Sequence, residues 1–345
     1  NFSAPVKLNY AYSREELYFL MVHDSDDFNR WNASQLLAVD VINELQSTKA
    51  PQKAEMFSLL SKAQGKILRS ALDRNDIDKA MITHLLSLPS ESFLIENSQA
   101  ADIDSIHAAR EQVANHIASD LQEIFVKIYQ SNESRSSYSA DAKSIAERGL
   151  KNIALNYLVR SGSEAWVTAC AAQFEKANNM TDQMAALRAM VFYAGASHGD
   201  LKEDMLNSFY SKWRHEPLVM NQWLVTQAID PSEGALQKVK VLMDHEVFDI
   251  KNPNKVRSLI GAFCSQNHIH FHNSDGDGYE FLADRVIQLD EINPQIAARL
   301  LSPLTRGKSL DENRKGLMQT QLQRIKATAS LSKDVFEIVE KSTIL

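Results

Sequence analysis

The sequence predicts an all-α fold, an irregular superhelix of stacked antiparallel helix pairs, and three features support this prediction. Glycine (11 residues) and proline (8 residues) are scarce in a chain of 345 residues, while residues that favour helices recur throughout. Signals that end one helix and begin the next return roughly every 12 to 25 residues, and beyond the first residues no strand pattern separates them. Helices without a sheet must bury their apolar faces on one another, as stacked helix pairs do.

The N-terminal residues predict a short strand followed by the first helix. Apolar residues occupy every second position over residues 6–12, a period of two that suits a half-buried strand. The period then changes, because Ser13 and Glu16 have the spacing of a capping box, in which each side chain bonds the other residue's backbone amide. We therefore expect a strand or linker over residues 1–12 and one helical domain over residues 13–345.

Further helix starts follow from the same rules, and we expect roughly fifteen helices in all. In the longest one, apolar residues recur at spacings of three, four or seven. No strict period supports an armadillo-type or tetratricopeptide consensus, so the stacking is expected to be irregular. The clearest starts are a helix capped by Asp26 or Asp27, one opened by Pro51, a long helix over residues 102–129, and one that begins at Thr181 with Asp182.

Two later helices begin with an asparagine followed by a proline, at residues 252–253 and 293–294. Asparagine can cap a helix, and proline lacks only an amide that would have no partner in the first turn. Arg257 and Arg299 each fall in the predicted second turn, near the positive end of the helix dipole, which costs a cation about 0.3 to 1 kcal/mol. This placement makes a binding role worth considering, with two solvated arginines as the alternative.

Charge and cysteine content exclude several classes of partner. The formal net charge is −7 and no long block of lysine or arginine occurs, which argues against nucleic acid or an anionic membrane surface. Cys170 and Cys264 lie too far apart in sequence to signal a disulfide framework or a thiolate metal cluster. No apolar run reaches the roughly 18 residues that span a bilayer. We expect a cytoplasmic location.

Searches for catalytic motifs find no complete site. A zinc protease helix needs two histidines four residues apart with a glutamate beside the first, and neither His215 nor His245, each followed by a glutamate, has the second histidine. No glycine-rich phosphate loop or nucleophile elbow is present either. We therefore expect no catalytic residue in this chain.

Two local patterns remain open as metal sites. His268, His270 and His272 would place three imidazoles on one face of a strand, but a polar loop after a helix is the alternative, and no carboxylate or cysteine completes a ligand set. The next twelve residues approach a calcium loop, with the alternative of a glycine turn that leads into a helix at Tyr279. The candidate oxygen ligands of that loop are Asn273, Asp275, Asp277 and Asp284.

Several stretches together resemble the C-terminal region of bacterial aminopeptidase N, a family of zinc-dependent aminopeptidases. They run in the family's order and span nearly the whole chain, which makes chance a poor explanation. The matching stretches are F-S-A-P-V-K-L at residues 2–8, D-F-N-R-W at 27–31, A-N-N-M-T-D at 177–182, N-P-N-K-V-R-S-L-I-G-A-F at 252–263, D-G-x-G-Y at 275–279 and N-P at 293–294.

The resemblance implies a longer parent enzyme with a catalytic domain, a small β-sandwich and a helical domain that closes over the active site. This chain would be the helical domain, with residues 1–12 left from the sandwich. Zinc and the substrate-amine motif would belong to the catalytic domain of the same polypeptide, so this chain would hold no cofactor and would not hydrolyse peptides alone. Its partners would be that catalytic domain and the peptide substrates.

By motif, the resemblance also implies that Arg257, Gln295 and Arg299 line the substrate cavity of the parent. A guanidinium there could bind peptide carbonyls or the far carboxylate as a planar donor fork. His268, His270 and His272 receive no role from the resemblance. The alternative function is a free-standing helical scaffold that binds a partner protein, and an H-E-x-x-H motif in frame upstream would distinguish the two.

Overall fold

The computed structural model describes residues 10–47, 55–74, 76–133 and 137–343. Helices occupy most of these ranges. In chain order they are α1 (Arg14–His23), α2 (Asp27–Ser47), α3 (Glu55–Asp73), α4 (Lys79–Leu85), α5 (Glu91–Glu96), α6 (Ile103–Asp120), α7 (Gln122–Ser131), α8 (Ala142–Arg160), α9 (Glu164–Lys176), α10 (Met180–Tyr193), α11 (Gly199–Trp213), α12 (Pro217–Ala228), α13 (Ala235–Met243), α14 (Pro253–Val256), α15 (Ala262–Gln266), α16 (His268–Phe271), α17 (Asp277–Asp290), α18 (Pro294–Leu300), α19 (Glu312–Lys326) and α20 (Lys333–Thr343).

Shorter helical turns complete the list of elements. A π-helical turn at Arg257–Gly261 joins α14 to α15, and 3-10 turns occupy Ala196–His198, Ser302–Thr305 and Gly307–Ser309. Within the described ranges no sheet forms, and the one isolated bridge there pairs Ala101 with Leu310. The predicted all-α fold is confirmed. No helix in the described part of the chain is both long enough and apolar enough to span a bilayer.

The helix starts test the capping predictions. The hydroxyl of Ser13 accepts from the amide of Glu16 at 3.1 Å while the Glu16 carboxylate accepts from the amide of Ser13 at 2.8 Å, so the capping box is present. Asp26 caps α2, because its carboxylate accepts from the amide of Asn29 at 3.0 Å. The predicted strand falls on residues 6–9, which lie outside the described residues together with Pro51, and on residues 10–12, which are not in a strand.

Two predicted boundaries are wrong. The long helix over residues 102–129 is two helices, because Leu121 leaves the helical conformation at φ −107° and ψ 13° and the chain turns so that α7 packs on α3. The side chain of Leu121 is buried close to α3, where a Cβ on Gly65 would lie 3.1 Å from it. The cap of α10 is Asn179 rather than Thr181, since its side chain accepts from the amide of Asp182.

The chain divides into two compact units, and the division falls within α6 and α8. The first unit comprises Asn1–Pro89 and Gln112–Tyr157, and the second comprises Ser90–Glu111 and Leu158–Leu345. The predicted helical domain over residues 13–345 therefore contains two units, each with its own core.

In the first unit, α1 packs on α2 and α3, and α3 also contacts α4 and α7. Leu17 and Met21 bury the inner face of α1. Tyr157 stacks on Phe125 with ring centroids 4.7 Å apart, and its hydroxyl donates to the carbonyl of Leu86 at 2.7 Å. A buried tyrosine thus keeps a hydrogen-bond partner, as burial of a hydroxyl requires.

In the second unit, α9 packs on α10, α17 packs on α18 and α19, and α12 packs on the π-helical turn. Its core is aromatic. The ring of Phe263 lies 6.3 Å from that of Phe271 and 5.9 Å from that of Phe281, both edge to face, and Phe271 meets Tyr279 at 5.3 Å. These contacts fix α15, α16 and α17 around one apolar centre, because edge-to-face pairs are favourable in addition to the area they bury.

A buried arginine connects three parts of the second unit. Arg314 in α19 donates to the carboxylates of Asp104 at 2.6 Å and Asp311 at 2.8 Å, and its Nε donates to the carbonyl of His272 at 2.6 Å. Burial alone would raise the pKa of the Asp311 carboxyl, but the hydrogen bonds from Arg314 outweigh burial and leave that pKa below its usual value. The guanidinium therefore remains fully paired inside the unit.

Candidate functional site

A cavity of about 770 Å³ opens in the second unit, between α5, the continuous helical segment α14–α15, α18 and the two 3-10 turns that follow α18. This volume is in the range of small-molecule and peptide side-chain sites. Its wall combines apolar residues such as Ile95 and Leu310 with polar and charged ones. The cavity is therefore a candidate binding site in the described part of the chain.

The first wall is built by the segment that begins at Asn252. As predicted, the Asn252 side chain caps the segment, accepting from the amides of Asn254 at 3.0 Å and Lys255 at 3.4 Å, and Pro253 takes the first helical position. The segment then widens into its π turn, in which the amide of Ala262 donates to the carbonyl of Arg257. Such turns are frequent at functional sites, because the extra residue shifts the side chains that follow.

The second wall is α18, which contradicts one prediction about its arginine. Asn293 caps α18 as expected, with its side chain accepting from the amide of Ile296 at 3.2 Å. The helix, however, is only seven residues long, so Arg299 lies in its last turn. A cation is favourable at that negative end of the helix dipole, and the expected unfavourable placement is wrong for this residue.

The structure brings the three residues inferred from the family resemblance into one cavity. Arg257, Gln295 and Arg299 are all exposed, and all three line it. A Cβ on Gly261 would lie 3.7 Å from the Cγ of Arg257 and 3.8 Å from Leu300, so the two arginine-bearing walls approach closely at this glycine. The guanidiniums therefore face a common space.

These arginines differ in their partners. The guanidinium of Arg257 donates to the side-chain carbonyl of Asn254, a neutral group. The guanidinium of Arg299 has no hydrogen-bond or ion-pair partner among the described residues. Neither guanidinium is neutralised there by a carboxylate, so both remain available to an anionic or carbonyl-bearing ligand.

The opposite wall was not predicted from the sequence. Helix α5 contributes Ser92, Ile95 and Glu96, and Glu96 pairs with Arg306 at 2.8 Å, both of which also line the cavity. The two residues are 210 positions apart in sequence, and no local pattern relates them. Helix α5 is anchored by Glu91, which bonds His107 of α6 at 2.7 Å and raises the pKa of that histidine.

The three clustered histidines lie on a helical turn, not in the strand or loop that the sequence suggested. Their rings bond different groups: His268 Nε2 lies 2.8 Å from the Ser92 hydroxyl, His270 Nε2 lies 2.9 Å from the Pro231 carbonyl, and His272 Nδ1 lies 2.9 Å from the Tyr279 hydroxyl. These partners point the imidazoles away from a shared metal position. In the described ranges no three histidine, cysteine or acidic side chains could hold a metal ion together.

The pairing of His268 with His272 within this cluster was not predicted from the sequence. His268 and His272 are four residues apart, which on a helix places them on one face, and their rings stack in parallel with centroids 5.6 Å apart. Both line the cavity. Burial lowers the pKa of His268 and lowers the pKa of His272 to about 3, so both stay neutral at neutral pH.

The calcium-loop residues are engaged within the protein. Asn273 donates to Asp275 at 2.7 Å, and Asp275 accepts from the backbone amide of Asp277 at 2.9 Å. Asp284 is instead paired with Arg324 at 2.7 Å, on the side of α17 that faces α19. The glycine turn leads directly into α17, which begins at Asp277 rather than Tyr279.

The remaining candidate for chemistry in the wall is Cys264. It is free and buried, and burial raises the pKa of its thiol well above the usual value. A thiol held in the protonated form is a poor nucleophile and a poor metal ligand. The described wall of the cavity therefore supplies hydrogen-bond donors and positive charge, which suits binding.

Burial of His272 predicts a pH dependence of stability. Its unfolded-state pKa is near 6.5 and its folded-state pKa about 3, so below pH 6.5 the unfolded chain binds a proton that the folded chain does not. The free energy of unfolding should fall as the pH falls from 6.5 towards 3, and at pH 5 this one group should account for about 2 kcal/mol. Urea unfolding at pH 7.5 and pH 5.0 measures the difference.

The contribution of His272 is isolated by substitution. His272→Gln should lose clearly less stability than the wild type between the two pH values, whereas His270→Gln, two residues away and partly exposed, should behave as the wild type does. An equal pH response in the His272 variant would contradict the assignment.

Comparison with known proteins adds a whole-chain similarity. Aminopeptidase N of Escherichia coli (strain K12) is 36% identical over 341 residues, and aminopeptidase N of Haemophilus influenzae is 35% identical over 347 residues. Each match covers 99% of this chain and 38% of the relative. The chain thus spans less than two fifths of the length of these relatives.

A solved structure supports the same relationship. The crystal structure of Legionella pneumophila aminopeptidase A in complex with aspartic acid superposes with a TM-score of 0.85 at 30% identity, covering 99% of this chain and 39% of that chain. The resemblance to aminopeptidase N found in the sequence motifs is confirmed.

The matching family profile, described as "Domain of unknown function (DUF3458_C) ARM repeats", spans residues 14–344. The family description names ARM repeats, a helical-repeat architecture that fits the predicted superhelix of stacked helix pairs, although the sequence shows no strict repeat period. With the profile, the relatives and the solved structure all covering nearly the entire chain, the protein belongs to the DUF3458_C family of ARM-repeat domains.

Proposed function

We propose that this chain is the helical part of a longer zinc aminopeptidase, in which it shapes access of peptide substrates to the active site. The observation that carries the proposal is the match of 99% of the chain to proteins named aminopeptidase N. The cavity adds a physical role, because it presents to an entering ligand two arginines that have no carboxylate partner among the described residues.

The chemistry of the cavity residues supports a role in binding, with hydrolysis carried out by another part of the polypeptide. The histidines in the cavity wall bond separate partners, and the thiol of Cys264 is held protonated by burial, which raises its pKa. These groups do not fit a zinc site, so zinc and the hydrolytic groups would lie in another part of the same polypeptide. That part would be the main partner of this chain.

Within such an enzyme, Arg257, Gln295 and Arg299 would bind the part of the peptide that lies beyond the bond being cleaved. A guanidinium can donate two parallel hydrogen bonds to a carboxylate, or single ones to peptide carbonyls. The amide of Gln295 can both donate and accept. Contacts of this kind hold a substrate in register with distant catalytic groups.

A cytoplasmic location is part of the proposal. Both cysteines are free and buried, which is the usual state of thiols in a reducing compartment.

Peptide length provides the test of the proposed function. The longer polypeptide that carries this chain should release alanine from an alanyl chromogenic amide and from alanine-led pentapeptides, while the chain alone with added zinc should release none. Arg299→Ala in the longer polypeptide should lower kcat/KM for pentapeptides about tenfold, and clearly more than for the amide, because only the peptides reach the cavity.

Lys308→Ala is the matched control, since Lys308 is an exposed cation near the cavity that does not line it. It should leave both substrates unaffected. A longer polypeptide that cleaves neither substrate would overturn the enzyme assignment, and equal losses on both substrates in Arg299→Ala would remove the role of this cavity.

A further inference from the structure

The charge of the cavity wall is opposite to that of the whole chain. The chain carries a formal net charge of −7. The cavity wall, in contrast, holds Arg257, Arg299 and Arg306 against one carboxylate, that of Glu96. Counting only these lining residues, three positive charges and one negative charge leave the wall with two in excess. His268 and His272 add none at neutral pH, because burial lowers the pKa of each.

Pairing within the wall decides which of these charges a ligand meets. Arg306 and Glu96 neutralise each other at 2.8 Å. Arg257 donates to the neutral side chain of Asn254, and the guanidinium of Arg299 has no partner among the described residues. The excess charge is therefore located on Arg257 and Arg299, on the two walls that approach each other at Gly261.

Resting on the proposed function above, we propose that this cavity selects peptides with acidic side chains beyond the cleaved bond and disfavours peptides with basic ones. Two carboxylates can pair with the two guanidiniums that have no carboxylate partner in the described structure. A lysine or arginine side chain would be repelled by the same two positive charges. The wall's one carboxylate, Glu96, is already paired, so a basic ligand would have to displace Arg306 from it.

This arrangement combines attraction with rejection, which is how binding sites obtain specificity. An exposed ion pair alone is weak, but the guanidiniums here act inside a concave site and on two charges at once. Removal of the Glu96 charge should strengthen the selection, because it would release Arg306 as a third free cation.

The test compares three amidated pentapeptides on the longer polypeptide: Ala-Ala-Glu-Glu-Ala, Ala-Ala-Gln-Gln-Ala and Ala-Ala-Lys-Lys-Ala. At low ionic strength, kcat/KM for alanine release should be roughly tenfold higher for the glutamate peptide than for the glutamine peptide, and roughly tenfold lower for the lysine peptide. Added salt should bring both ratios closer to one, since exposed charges are screened.

Variants of the wall separate this selection from general effects. Arg257→Gln with Arg299→Gln should bring both ratios close to one, and Glu96→Gln should raise the ratio of glutamate to glutamine peptide severalfold. Lys308→Gln, which removes one positive charge outside the cavity, should leave the ratios as in the wild type. Unchanged melting temperatures establish that the exposed substitutions leave the fold intact.

Each outcome decides the proposal. Equal kcat/KM for the three peptides in the wild type would overturn the selection while leaving the aminopeptidase function standing. Ratios that persist in the double arginine variant would assign the selection to another part of the polypeptide and would overturn the role of this cavity. Failure to cleave even an alanyl amide would instead contradict the proposed function.

Discussion

Gly278→Ala should destabilise the second unit by about 3 kcal/mol, the largest effect expected among the glycine-to-alanine changes. A Cβ at this position would lie 2.2 Å from the carbonyl oxygen of Phe271 and 2.9 Å from its carbonyl carbon. Both are backbone atoms, so no side-chain rotation relieves the clash. The first turn of α17 would have to move away from the end of α16. Urea unfolding followed by circular dichroism measures the loss.

Gly316→Ala is the matched control for this prediction. Gly316 lies inside α19 and is exposed, and apart from its chain neighbours and its own helix backbone no described atom lies within 4 Å of an added Cβ. Alanine there should raise the free energy of unfolding by about 0.5 to 1 kcal/mol through helix propensity alone. A Gly278 variant with wild-type stability would show that α16 and α17 are not in the close contact described.

Arg314→Met should cost about 3 kcal/mol, because it removes a buried guanidinium from three partners at once. Only 7% of its side chain is exposed. Loss of Arg314 leaves the carbonyl of His272 without its donor and leaves Asp104 and Asp311 without their shared cation. Since His272 lines the cavity, the same change should also weaken peptide discrimination in the longer polypeptide.

Lys315→Met controls for the loss of a charge in the same helix. Lys315 pairs with Glu312, whose side chain is 91% exposed. An ion pair so accessible to water contributes little, and the substitution should change stability by no more than about 0.5 kcal/mol. If the two variants unfold at the same urea concentration, the hydrogen bonds of Arg314 do not contribute to the free energy of unfolding.

Local chemistry explains which parts of this structure could be predicted. The caps at Ser13, Asn252 and Asn293 depend on groups two or three residues apart, so the sequence alone specifies them. Helix ends are harder, because packing decides them: α6 stops at Asp120 although the apolar pattern continues, and α18 stops after seven residues. The short α18 is why the dipole prediction for Arg299 was wrong.

In the cavity too, features that depend on residues close in sequence could be predicted, and contacts between residues far apart in sequence could not. Arg257, Gln295 and Arg299 were identified through the resemblance to a family, not through periodicity. Glu96 and Arg306 could not be paired from the sequence, since only the folded chain brings residues 210 positions apart into contact. No local sequence pattern predicted the π turn. The four-residue spacing of His268 and His272, in contrast, would have predicted that they share a face if that segment had been taken as a helix.

The discontinuity of the second unit has a consequence for how the protein is made. Residues 90–111 are synthesised long before Leu310 and Arg314, yet the cavity wall needs α5 from the early stretch and the 3-10 turns from the late one. Closing so long a loop carries an entropic cost that must be met before its contacts form. On the ribosome the wall that carries Arg257 can thus form early against α12, whereas the wall that carries Arg299 also packs on α20, so the binding cavity is completed among the last steps of folding.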